Sequence, residues 1–155
     1  MERATKKERT EVGMPTIKSF YLGEEPYTNG VLLHQVLDAN DAWWEKQHDF
    51  IQWIFPTKTR SEFNPNAPIL TKLDAEFLSQ RTVYSIAMLR FEQFLETATT
   101  FHNRLRITRA IESITLVLGR SAAEQFLDRV MCETEKKFSS SMPHFQRALF
   151  SSWES

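Results

Sequence analysis

From about Val31 to Phe150 the chain is a succession of apolar residues spaced three and four apart, separated by short gaps, and no stretch alternates apolar with polar as a half-buried strand does. This pattern leaves little choice of architecture. Helices with one apolar stripe must bury it on one another, and 155 residues suffice for one such core. The spacing predicts an all-α fold: a single compact orthogonal helical domain of about six or seven helices over 15–155. Residues 1–14 carry Arg3, Lys6, Lys7 and Arg9 against Glu2, Glu8 and Glu11 with almost nothing apolar, and read as a mobile tail.

Punctuation residues set the expected boundaries. Gly23 and Pro26 break the aromatic stretch Phe20–Asn29 into a loop whose rings dock on the body. Asn40 or Asp41 caps a helix running from there to Phe55, where Pro56 stops it. Pro65 and Pro68 mark an ordered loop pinned by Phe63 and Ile69. Helices then follow over about 71–78, 80–96 and 102–118, the last ended by Gly119 in a left-handed conformation. Ser121 and Glu124 read as a capping box opening a helix to about Lys137, and a last short helix follows Ser141.

Several functions are excluded or disfavoured on chemical grounds. Lys plus Arg number 19 and Asp plus Glu 20, so a net charge of −1 provides no general attraction to nucleic acid or anionic membrane. One cysteine closes no internal disulfide and supplies no Cys-cluster metal site, which fits a reducing, cytoplasmic location. No apolar run reaches the length of a membrane span, and the first residues lack the apolar centre of a secretory signal. Glu45-x-x-His48 has the spacing of half a di-iron site, but no second copy exists, and no phosphate-cradling glycine loop or nucleophile elbow occurs. Cys132, beside Met131 and Glu133, reads as a small apolar filler. No catalytic residue, metal or cofactor is assigned.

One polar constellation stands out. On a continuous helix through His48, residues Trp44, Ile51 and Phe55 align, with His48 at the edge of the line and Glu45 and Gln52 beyond it. On the helix after His102, Ile107, Ile111, Ile114 and Leu118 form one stripe and Leu105 and Leu116 another, which makes that helix central. Between its stripes lie His102, Arg106, Arg109 and Ser113. Arginines on a buried helix require partners, and the candidates are Glu45, Asp49 or Glu92, or an anionic ligand held in a guanidinium fork.

The same residues carry a family resemblance. The block His48-Asp-Phe-Ile-Gln-Trp-Ile-Phe-Pro56, then Asn64-Pro-Asn-Ala-Pro68, then His102-Asn-Arg-Leu-Arg-Ile-Thr-Arg109 resemble, in this order, the conserved region of the opioid growth factor receptor family. Tyr21-x-Gly23 and Trp44-Glu45-x-x-His48 are also similar to it, although the family favours Leu where this chain has Trp44. The resemblance covers about residues 20–135. It implies an all-helical domain named for a receptor of enkephalin-type opioid peptides, without the C-terminal repeats of the animal receptors, and it implies nuclear or peripheral membrane association. Combined with the helical projection, it makes His48, Asp49, Gln52, Trp53, His102, Asn103, Arg106 and Arg109 the candidate ligand-binding set. The expected ligand is a peptide or small anion. The alternatives are a nucleic-acid or nucleotide binder using Arg104, Arg106 and Arg109, and a protein-interaction domain whose arginines are paired internally.

Overall fold

The structure is a computed structural model that describes residues 15–61, 64–98 and 103–154. The segment read as a tail lies outside the described residues, as do Phe63 and His102. The fold is all-α. Among the described residues there is no strand, and nine α-helices follow one another: α1 (Ile17–Tyr21), α2 (Leu33–Asp38), α3 (Asp41–Lys46), α4 (Ile51–Ile54), α5 (Lys72–Ser79), α6 (Thr82–Thr97), α7 (Asn103–Leu118), α8 (Arg120–Glu133) and α9 (Met142–Ala148). A 3-10 turn over Ser139–Ser141 leads into α9. Two features raise the number above six or seven. The start of the aromatic stretch is helical in α1, and the helix expected over 41–55 is interrupted after Lys46, so that α3 and α4 are separate.

Side-chain caps explain several starts. Asn40 accepts from the Trp43 amide at the head of α3, and Thr71 and Asp74 satisfy each other's backbone at the head of α5. The box expected at Ser121 does not form, because α8 begins two residues earlier, at Arg120, with Gly119 as its N-cap and no side-chain cap. Gly119 does have positive φ, but φ 101° with ψ 163° is the extended mirror region that only glycine visits cheaply. This single residue turns the chain from α7 into α8. Gly119→Ala is expected to cost about 1–3 kcal/mol, read as a lower thermal midpoint with unchanged helix content.

Helix α7 is central, packing on α5, α8 and α9, while α6 lies against α8. Ile107, Ile111 and Ile114 are fully buried, as the stripe predicts, and Leu116 is buried too, whereas Leu105 faces out. The rings of Trp44, Phe55, Phe94 and Phe126 surround Phe91 at centroid distances of 6.2, 5.5, 6.4 and 6.3 Å. Trp43 covers the rim against Phe50. Phe20, Tyr21 and Tyr27 are buried, so the aromatic stretch is docked, not displayed. The 57–70 loop is held by Asn64, Ala67 and Leu70, while Ile69 is exposed. Cys132 is exposed as well, not the buried filler its neighbours suggested.

Candidate functional site

The short helices at the start of the fold create a local problem, because each ends with carbonyls that have no partner inside the helix. Basic side chains from the long helices solve it. Arg90 of α6 donates to the carbonyl of Ala39 at the end of α2 (2.8 Å) and pairs with Asp41 (2.9 Å). Arg106 of α7 donates to the carbonyl of Trp44 (2.7 Å) and to that of Gln47, closing α3. Arg109, one turn further along α7, donates from Nε to the Phe55 carbonyl that closes α4 (3.0 Å). Lys137 likewise donates to the carbonyl of Ala98 at the end of α6. Each cation therefore sits at the negative end of a helix.

This arrangement corrects the expectation that acidic protein side chains pair directly with the central arginines. Their guanidinium groups bind main-chain carbonyls, and that of Arg106 also lies over the rings of Phe50 and Phe94, 5.5 and 5.7 Å from their centroids. Acidic charge acts from nearby: burial pushes Arg106 and Arg109 down to about 10, opposed by Glu45 for the first and Glu112 for the second. Both stay charged at neutral pH. Glu92, another expected partner, forms a bidentate pair with Arg129 of α8 instead. The Glu112 carboxyl is raised by its own burial, with Arg109 pulling it back.

The structure brings most of the candidate set together in this network. His48 Nδ1 lies 3.5 Å from Arg106, although His48 is exposed where the projection put it half inside. Gln52 is buried where the projection put it beyond the apolar line, accepting from the Asn64 side chain (3.3 Å), with its amide group within 3.3 and 3.2 Å of the carbonyls of His48 and Asp49. Both reversals have one cause: the break after Lys46 destroys the continuous helix on which the projection rests. Asp49 accepts from the Tyr27 hydroxyl (3.0 Å), and Asn64 donates to the Asp49 carbonyl (3.2 Å). Asn103 is buried and bridges Glu45 and Arg106 (3.3 Å to each). Trp53 is buried against Phe20 and Tyr27, a core residue more than the wall of an open cavity. Among the described residues two buried donors of this region have no acceptor, Nη2 of Arg109 and the indole N–H of Trp53. His102 lies outside the described residues.

Open space is found elsewhere. Two pockets, of about 400 and 280 Å³, lie between α2 and α6 and share His34 and Leu37 as lining residues, so they form one groove. Its exposed lining is mixed, with His34, Asp38, Arg81 and Gln93 beside three apolar side chains, Leu22, Ile86 and Leu89, which are 37, 47 and 54% accessible, values unlike those of core leucine and isoleucine. Sequence reasoning missed this surface because Val83, Ile86, Ala87, Phe91, Phe94 and Leu95 form a broad apolar band on α6, which reads as packed on more than one side. The band is wider than its neighbours cover. That excess width is the signal that was present.

Among the described residues no helix is long and apolar enough to cross a membrane. Comparison of the chain with family models, with curated proteins and with solved structures returns no match.

Proposed function

We propose that the chain is a receptor-like binding module, resembling the conserved region of the opioid growth factor receptor family, and that it takes a peptide in the groove between α2 and α6. The carrying observation is the exposed apolar lining of that groove, Leu22, Ile86 and Leu89, on a domain whose other large side chains are mostly packed. In this reading the blocks that carry the resemblance serve folding. Their arginines close the ends of short helices, and the groove beside them does the binding. An exposed lone thiol at Cys132 suits a reducing compartment, so the cytoplasm is the proposed location.

A second reading is supported by one specific atom. Nη2 of Arg109 is a buried donor without an acceptor, and a small carboxylate or phosphate would supply one. One titration separates the two. The isotope-labelled chain is followed by amide chemical shifts while an enkephalin-type opioid peptide, and separately inorganic phosphate, is added. Peptide-dependent shifts centred on His34, Leu37, Ile86 and Leu89 support the groove. Phosphate-dependent shifts centred on Arg109 and Phe55 transfer the site to the arginine. A spectrum unmoved by either sinks the receptor-like reading.

A further inference from the structure

We infer, on the reading that the α2–α6 groove is the binding site, that its occupant is an amphipathic helix of about three turns, with an acidic first turn over Arg81 and a basic last turn at Asp38. The groove has a direction. Leu33 and Val83 line one end and Asp38 and Gln93 the other, so α2 and α6 run the same way along its two walls. From Val83 to Gln93 α6 rises about 15 Å at about 1.5 Å per residue, while Leu33 to Asp38 of α2 rises only about 7.5 Å, so α6 sets the length of the trough and α2 walls about half of it. A helix of about three turns spans that length.

The walls dictate the secondary structure of what lies between them. Along most of the groove's length they are the sides of α2 and α6, with the turn Leu22–Gly23 at one end, and no strand is present among the described residues, so no sheet edge exists there for an extended peptide to join. A segment lying on Leu22, Leu33, Leu37, Val83, Ile86 and Leu89 loses water from its own amides and carbonyls and must pair them internally. Only a helix does that while presenting apolar residues at i, i+3, i+4 and i+7 to the trough.

Charge then sets the polarity. Arg90 lines the groove, but its guanidinium is engaged by the Ala39 carbonyl and Asp41. The other charges lining the two ends are the exposed side chains of Arg81, whose guanidinium lies 5.5 Å from the Phe77 ring centroid with its edge open to hydrogen-bond partners, and Asp38. Arg81 is also the N-cap of α6, which has no side-chain cap, so the positive end of a sixteen-residue helix adds to it. Acidic residues in the first turn and basic ones in the last stabilise the occupant's own helix. Both effects agree only if the occupant runs in the same direction as α6.

The test uses two synthetic helical peptides of about 14 residues, with leucines at i, i+3, i+4 and i+7. One carries Asp and Glu in its first turn and Lys and Arg in its last; the other has these ends exchanged. Binding to the full chain is read by fluorescence anisotropy at low salt. The acid-first peptide is expected to bind about fivefold tighter, the preference to shrink at high salt, and the Arg81→Glu, Asp38→Lys double variant to reverse it. Equal binding of the two peptides, or a preference that the double variant does not reverse, overturns the polarity and leaves the groove standing. Binding by neither peptide overturns the helical occupant, and the opioid-peptide titration remains a separate test of the groove. Leu89→Glu, on the solvent-facing lining, is expected to abolish binding of both peptides; binding that survives it lies elsewhere and overturns the groove itself.

Discussion

Arg106→Ala is expected to lower the stability of the domain by about 3 kcal/mol or more, because it strips two carbonyls of their donor in a place water does not reach. The Arg106 side chain is buried, and its two terminal nitrogens serve the Trp44 and Gln47 carbonyls at the end of α3. For a chain of this length such a loss corresponds to about 10 °C in Tm. Two controls separate the causes. Arg106→Met keeps the stem that packs on Phe50 and Phe94 but offers no donor, and should fall nearly as far as Ala. Arg106→Lys keeps the charge but cannot reach both carbonyls with one planar fork, and should lie between. Hydrogen exchange should show the loss concentrated in the amides of α3 and of 47–50. A Tm within a degree or two of wild type for Arg106→Ala would mean that the closure of α3 does not depend on this side chain, and the structural account of the network would be wrong.

The same network shows where sequence reading succeeds and where it fails. Apolar spacing found the long helices, because the stripe on α7 is a local property: Ile107, Ile111 and Ile114 are buried for the reason their spacing gives. The break after Lys46 was not legible. Trp44, Ile51 and Phe55 align on a continuous helix, and nothing between them is a strong helix breaker. What makes the break tolerable is a guanidinium arriving from Arg106, far along the chain, to take up the carbonyls that the break exposes. Local propensity carries no information about so distant a donor. The cost of a half-buried arginine was legible, and it pointed correctly to a partner for Arg106 and Arg109. The partner's chemistry was not, because a main-chain carbonyl is available at every position and becomes special only where a helix stops. The groove was hidden for the opposite reason. Ile86 has the same local environment in sequence as Ala87 and Phe91, and only the placement of the neighbouring helices determines which of them is covered.

Trp44→Ala is expected to be the most damaging single change in the core, at about 4–5 kcal/mol, the upper part of the range for removing a buried aromatic. The residue is fully buried on α3 and joins three elements at once. Its ring meets Phe50 at 4.8 Å and Phe94 of α6 at 5.8 Å, its indole N–H donates to the Val36 carbonyl of α2 (2.9 Å), and the Arg90 guanidinium lies 4.8 Å from its ring centroid. Alanine therefore leaves a cavity, an unpaired carbonyl and an arginine without its aromatic support. The loss should exceed that of Arg106→Ala because packing, hydrogen bonding and the position of Arg90 all fail together. Trp44→Leu is the informative comparison, since leucine keeps apolar volume at this place without the indole. It fills part of the cavity and restores none of the polar contacts, so about half the loss should remain. Denaturant unfolding of the three proteins reads the order directly. If leucine restores the wild-type midpoint, apolar volume alone sets the contribution of this site, and the indole contacts to Val36 and Arg90 add nothing to stability.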